Sequence, residues 1–340
     1  MQNNAPKKSY ILREYPVPIS NAGPYGIAVG RDGSLYFTAS RANAIGQLAL
    51  NGDIIIYSLP TARAGPLVIT PGPDAAFWFT AMQGNLIGRI TTDGVIREYV
   101  LPTSNARPYG ITAGPDKALW FTEMMANKIG RITTDGAITE YLLPTPEAQP
   151  SAIVAGPDGA LWFSENRSNQ IGRITVTGKV TEYPLPTTDA GPVGITAGSD
   201  GALWFVEINA NQIGRITIHG EITEYALHTP DARPHAIVAG ADGALWFTQW
   251  GSNHIGRITR EGAITEYKIP TPDAEPHGIT AAPDGTVWFA EEVGKIGCLE
   301  IKLSHIDFER NQAPTNTDRT KQNPFEAPCY RPPLPSNRPV

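Results

Sequence analysis

The chain carries 340 residues, of which 41% are hydrophobic and 18% charged, with a formal net charge of −6. That is enough apolar material for a large core, yet no stretch approaches the roughly 18 consecutive apolar residues of a membrane helix. No run of Lys or Arg supplies the positive surface that a nucleic-acid partner needs, so nucleic acid and membrane both drop out as expected partners.

The first segment, MQNNAPKKSYILREY, has neither the apolar run nor the small-residue cleavage site of a secretory signal, which makes a cytoplasmic location the expectation. It leads into YILREYPVP, an orphan stretch resembling VIREYVLP further along the chain. From Pro24 onward a unit recurs every 42 residues: PYGI at 24, PLVI at 66, PYGI at 108, PSAI at 150, PVGI at 192, PHAI at 234 and PHGI at 276. Each copy continues through a turn Asp, an aromatic pair such as Trp120-Phe121, an N-x-I-G-R-I-T segment and a G-x-I-T-E-Y-x-L-P-T segment.

Within a unit, GITAGP, ALWFTE, KIGRITT and AITEYLLP are short, rich in Ile, Thr and aromatic residues, and separated by Gly, Pro, Asp or Asn. They predict four strands joined by tight turns, with the glycine of PDG or SDG in the left-handed region of the first hairpin. No helical periodicity appears. A period near 40 to 45 residues with four antiparallel strands is the pattern of a β-propeller blade, so seven units predict a seven-bladed, all-β propeller. The seventh unit stops after KIGCLEIK without its ITEY segment, and the orphan YILREYPVP is expected to complete it. Such closure pairs the first and last blades and removes the open edges of a linear array.

The propeller is expected over residues 8–303. From 304 to 340 the composition turns to Pro, Asn, Arg and Thr with few apolar residues, which predicts a disordered tail. Cys298 and Cys329 offer neither a disulfide framework nor metal-ligand spacing.

In so regular a repeat, shared residues hold the blades together and differences mark function. Trp78, Trp120, Trp162, Trp204, Trp246 and Trp288 recur at the repeat period and read as packing between blades, and the IGRIT arginines read as structural or solvated charges. The position after the repeat proline differs: Tyr25, Leu67, Tyr109, Ser151, Val193, His235, His277. Before the proline, Glu275 is the one carboxylate among Gly23, Gly65, Arg107, Gln149, Gly191 and Arg233. An antiparallel return of the second strand brings Glu291 back to the same sheet edge, beside Glu275 and His277, with His235 one blade away. Glu292 sits in a column running Ser40, Met82, Met124, Asn166, Ile208 and Trp250, and no role attaches to it at this stage.

Two carboxylates with water suit a hard divalent cation such as Mg2+, while the lack of a Cys or three-His set argues against zinc. A neutral imidazole beside such an ion can act as a base. Metal-assisted proton abstraction is the chemistry these parts fit; the alternative is a rim of solvated charges on a binding platform.

The repeated PxGI…GPDGALWFTE…N-x-IGRIT…ITEY-x-LPT unit, with RPHAI, EPHGI and WFAEE in its last copies, closely resembles the streptogramin B lyases, also called virginiamycin B lyases, over about residues 8 to 303. The resemblance implies a monomeric seven-bladed propeller, a Mg2+-dependent carbon–oxygen lyase that linearises a cyclic depsipeptide antibiotic by elimination at its threonyl–phenylglycine ester. It implies His277 as general base, Glu275 and Glu291 as Mg2+ ligands, and His235 as a substrate-binding residue. Tyr25, Tyr109 and Trp250 are further candidates for an apolar wall against the substrate. Two other functions remain open at this level: a metal-dependent ester or lactone hydrolase on another small molecule, and a propeller that binds without catalysis.

Overall fold

The computed structural model describes residues 9–30, 32–49 and 51–302; the tail expected at 304–340 lies outside them. Among the described residues every regular element is a strand, and the strands form seven four-stranded antiparallel sheets, the predicted propeller blades. In blades one to six the four strands follow one another in the sheet, beginning at Pro24, Pro66, Pro108, Pro150, Pro192 and Pro234. Blade seven runs Pro276–Ala281, Val287–Glu291, Lys295–Lys302, and then takes the N-terminal Ser9–Pro16 as its outer strand, in register from Ser9↔Lys302 to Pro16↔Lys295.

Blade three shows why this sequence makes this unit. Its second strand, Leu119–Glu123, is buried at every position, because it has a strand on each side and a blade above and below. Phe121 fills the space over Gly130, where an added Cβ would lie 2.1 Å from the ring, so glycine is required in the third strand. Burying such a side chain contributes about 1.5–3 kcal/mol. Trp120 stacks on Tyr141 at 5.5 Å and donates its indole N–H to Asp116 at 3.0 Å, and Arg131 donates to the other Asp116 oxygen at 2.7 Å. Burial would raise the Asp116 pKa, but these two donors outweigh it and hold the carboxyl low. The same Asp–Trp–Arg cluster recurs around Asp74, Asp158, Asp200 and Asp242, which makes the IGRIT arginines structural.

The hairpin glycines adopt the left-handed backbone expected of them at Gly33, Gly159, Gly201, Gly243 and Gly285, while Ala75 and Lys117 take that conformation without a glycine. Closure is chemically faithful as well as geometric. Thr103 is bound through its N–H and hydroxyl by Glu140 of the blade-three outer strand, and Thr271 is bound the same way by Glu14, at 3.1 and 2.8 Å. The N-terminal strand thus supplies the contact that the outer strands of blades two to six make to the preceding blade.

Candidate active site

Each inner strand slips register between its proline and the isoleucine three residues on, as at Pro276/Ile279 against Glu291 and Phe289. This bulge re-aims the two residues between them. In blades with Thr or Ser in the second strand, the hydroxyl accepts the bulge N–H of its own blade and donates to a carbonyl of the next. Thr248 accepts from Ala236 N–H at 3.0 Å and donates to the His277 carbonyl at 2.8 Å; Thr80 holds Tyr109 and Thr122 holds Ser151 in the same manner. The residues after the repeat prolines are therefore gathered at one mouth of the axis by a blade-to-blade chain of hydrogen bonds.

Four of them meet there. Tyr25 stacks on His277 with ring centroids 4.3 Å apart, and the His235 ring stands edge-on to His277 at 4.7 Å. The Tyr25 and Tyr109 hydroxyls share a 2.7 Å hydrogen bond, and both lie 3.4 Å from His235 Nε2. Trp250 closes one side, 6.5 Å from the His277 ring, with the Arg233 guanidinium 5.5 Å over its own ring. Burial, reinforced by His277, pushes His235 down to about 3, so it is neutral at physiological pH. Burial raises the hydroxyl pKa of Tyr25, strongly, and of Tyr109.

The strongest contact at the mouth involves the residue that had no assigned role. His277 Nε2 lies 2.6 Å from Glu292 Oε2, and Arg41 Nη2 lies 2.5 Å from Glu292 Oε1. The hydrogen bond from His277, with help from Arg41, holds the Glu292 carboxyl below the ordinary range against the opposing effect of burial. An ionised carboxylate only accepts, so Nε2 carries a proton and His277 Nδ1 is left bare in the neutral ring. Glu292 is the one glutamate in its repeat column, so the rule that singled out His277 would have found it as well; Arg41 shares its own column with Gln83, Met125, Arg167, Asn209, Gly251 and Val293.

Glu275 and Glu291 are neighbours along the backbone but not as side chains. Glu291 pairs across the hairpin with Pro276, and the next residue, Glu292, donates its N–H to the Glu275 carbonyl at 3.2 Å. The Glu291 side chain is wholly buried and is directed to its own blade, where burial and the Glu14 carboxylate push its pKa up to about 8. Neither Glu291 oxygen receives a hydrogen bond from a donor, and a proton on it converts the Glu14 contact into a bond. Glu123, Glu165 and Glu207 occupy the same place beside Glu140, Glu182 and Glu224, and each is likewise raised to about 8. In blade six the position is Gln249, whose amide donates to Glu266 at 2.7 Å. The column thus calls for a neutral donor, and Glu291 fits it as a protonated acid. Glu275 and Glu292 are joined by the backbone bond at the turn, both are only partly buried, and the Glu292 carboxyl is held low by His277. Glu275 also holds a left-handed backbone, φ 50°, where Gly23, Gly65 and Gly191 stand in other blades, a strain of about 1 kcal/mol or more retained at the mouth.

Two cavities adjoin these groups. One of about 180 Å³ follows the axis beneath Tyr25, Tyr109 and His235 and is ringed by Ile27, Ile69, Ile111, Ile153, Ile195, Ile237 and Ile279. The other, about 620 Å³, lies beside Glu292 and is bounded by Arg41, Arg63, Leu67, Met82 and Gln83, a size typical of small-molecule sites.

Residues 10–299 match the model of the Virginiamycin B lyase family. The chain belongs to this family. Among solved structures, the virginiamycin B lyase of Staphylococcus aureus is 52% identical, with a TM-score of 0.83 over 86% of this chain and 99% of that one. A catalytically inactive variant of the S. aureus enzyme, with one histidine replaced by alanine, has been solved with quinupristin and superimposes equally well. A streptogramin B lyase structure is 49% identical, with a TM-score of 0.84 over 86% of this chain and 98% of that one. The virginiamycin B lyase of Bacillus licheniformis is 57% identical over 43 residues, about one repeat, which is 13% of this chain and 15% of that protein.

Proposed function

We propose that this protein opens the ester-closed ring of type B streptogramins by Mg2+-dependent elimination, with His277 as the general base. The observation that carries the reading is the 2.6 Å His277–Glu292 contact at the mouth, beside Glu275, in a chain of the virginiamycin B lyase family. A relative made inactive by loss of one histidine, and solved with quinupristin, supports the same view.

In this reading Glu275 and Glu292 hold the cation, and Glu291 is left to the blade. When bound, Mg2+ supplies Lewis-acid stabilisation of the negative charge that gathers on the substrate carbonyl as the α-proton leaves. The rest falls to the chain. His277 accepts the threonyl α-proton at its bare nitrogen, and the carboxylate at Nε2 steadies the imidazolium that results. The Cα–H electrons form the Cα=Cβ bond and the Cβ–O bond breaks, releasing the phenylglycine carboxylate; no attacking water is consumed. Tyr25 fixes the His277 ring plane by stacking, and the 620 Å³ cavity next to Glu292 receives the body of the peptide ring, its arginines and Gln83 facing the amide carbonyls and Leu67 and Met82 the apolar side chains.

Mass spectrometry of a type B streptogramin after incubation with the protein and Mg2+ tests this directly. A linear product of unchanged mass is expected, lost with chelator and in His277→Ala. A product heavier by one water, with label from solvent, would replace elimination by hydrolysis, and an intact ring under saturating Mg2+ would refute the proposal.

A further inference from the structure

The Tyr25–Tyr109–His235 triangle lies above the axial cavity and forms a hydrogen-bonded cluster of its own beside the His277–Glu292 contact. Its proton inventory can be counted. The two hydroxyls hold two protons, and their mutual 2.7 Å bond uses one. The second phenolic proton has His235 Nε2, 3.4 Å from both oxygens, as its acceptor within the triangle. If Nε2 is bare it takes that proton, and the single group left over is an N–H at Nδ1. If Nε2 carries the ring proton, one phenolic O–H and the Nδ1 lone pair are both left without partners. Unmet buried polar groups are costly, so the first arrangement wins. His235 Nδ1 is indeed buried with no hydrogen-bond partner in the protein, and so is Trp250 Nε1 at the same mouth.

We propose that Tyr25 and Tyr109 lock His235 as a neutral ring protonated at Nδ1, and that this N–H is the hydrogen-bond donor to an ester oxygen of the substrate. His235 is then a donor aimed at developing negative charge, and the two tyrosines are positioning residues that select its tautomer. The low pKa of His235 agrees, because only a neutral ring leaves Nε2 bare to accept the phenolic proton while Nδ1–H donates. Tyr25 and Tyr109 thereby cease to be an apolar wall: their hydroxyl ends are engaged with each other and with the histidine. The identity of the acceptor rests on the lyase reading above; the tautomer does not.

The experiment uses the full chain, with the ring nitrogens of its six histidines labelled with 15N, and His235→Asn to assign the signal. The expected spectrum at pH 7 places the His235 proton on Nδ1, and the Tyr25→Phe/Tyr109→Phe double variant moves the population toward the Nε2 form that free histidine favours. Turnover of a type B streptogramin is read in parallel. His235→Ala should lower kcat about 100-fold, and the double phenylalanine variant about tenfold with little change in KM. His235→Asn, whose amide N–H stands near the place of Nδ1–H, should recover part of the loss, whereas His235→Gln should not. An Nε2 proton in the unmodified protein, or a charged ring at pH 7, overturns the lock. Unchanged kcat in His235→Ala overturns the donor role. If the unmodified protein leaves streptogramin intact, the lyase reading fails and the donor role falls with it, while the labelled spectrum still decides the tautomer.

Discussion

Replacing Glu207 by glutamine should stabilise the propeller at neutral pH and do almost nothing in mild acid. Glu207 is fully buried, and burial together with the Glu224 carboxylate raises its pKa from 4.5 to about 8. Its folded pKa is above its unfolded one, so the stability it contributes is complete below about pH 4.5 and is lost as pH rises toward about 8. At pH 7 the folded protein holds a proton that the unfolded chain has released. The interval is 7 − 4.5 = 2.5 pH units, about 3 kcal/mol by linkage; at pH 5 it is under about 1 kcal/mol. Glutamine supplies the neutral donor without that proton, as Gln249 does to Glu266 at 2.7 Å. The expected gain is about 1–3 kcal/mol at pH 7, shrinking to well under about 1 kcal/mol at pH 5, read as the shift of the urea midpoint at the two pH values. A loss of stability at pH 7, or a gain equal at both pH values, would refute the idea that the column holds protonated acids.

The same logic separates the two adjacent glutamates of blade seven: Glu291→Gln should fold and keep Mg2+-dependent turnover, whereas Glu292→Gln should fold and lose about 100-fold or more in kcat/KM, and the reverse pattern in the kinetic assay would return the cation to Glu291. Glu275→Gly relieves a left-handed backbone that three other blades give to glycine, so thermal unfolding should show a gain of about 1 kcal/mol while turnover disappears; retained activity would remove Glu275 from the site. Thr248→Val breaks the link from blade six to the His277 carbonyl, and kcat should fall several-fold, on the order of 1 kcal/mol in the barrier, with KM steady; an unchanged kcat would show that stacking on Tyr25 alone positions the ring.

Much of the fold could be read in the chain because each blade repeats the same local problem: glycine under Phe121 and its counterparts, Asp between Trp and Arg, proline opening the inner strand. Closure was legible too, since a missing fourth strand at one end and an orphan strand at the other have one economical solution. The mouth was legible where a column changed chemistry, as at His235 and His277. At Glu291 and Glu292 the sequence could not say which side chain meets His277, because pairing Glu291 with Pro276 speaks of backbones and not of side chains. Glu291 is the last residue of its strand and Glu292 the first of the turn that follows, so one step along the sequence separates the carboxyl at Glu14 from the carboxyl at His277.

The sequence by itself determined the seven blades, the strand that closes them and the histidines that break the repeat, since periodicity and its exceptions are properties of a single line of residues. Only the tertiary structure decided which carboxylate meets His277, that Arg41 stands behind it, and that two tyrosines from blades one and three share one histidine from blade six. Those contacts join residues up to 251 positions apart through ring closure about one axis, and their distances depend on how bulge, pleat and turn aim each side chain once the ring is shut.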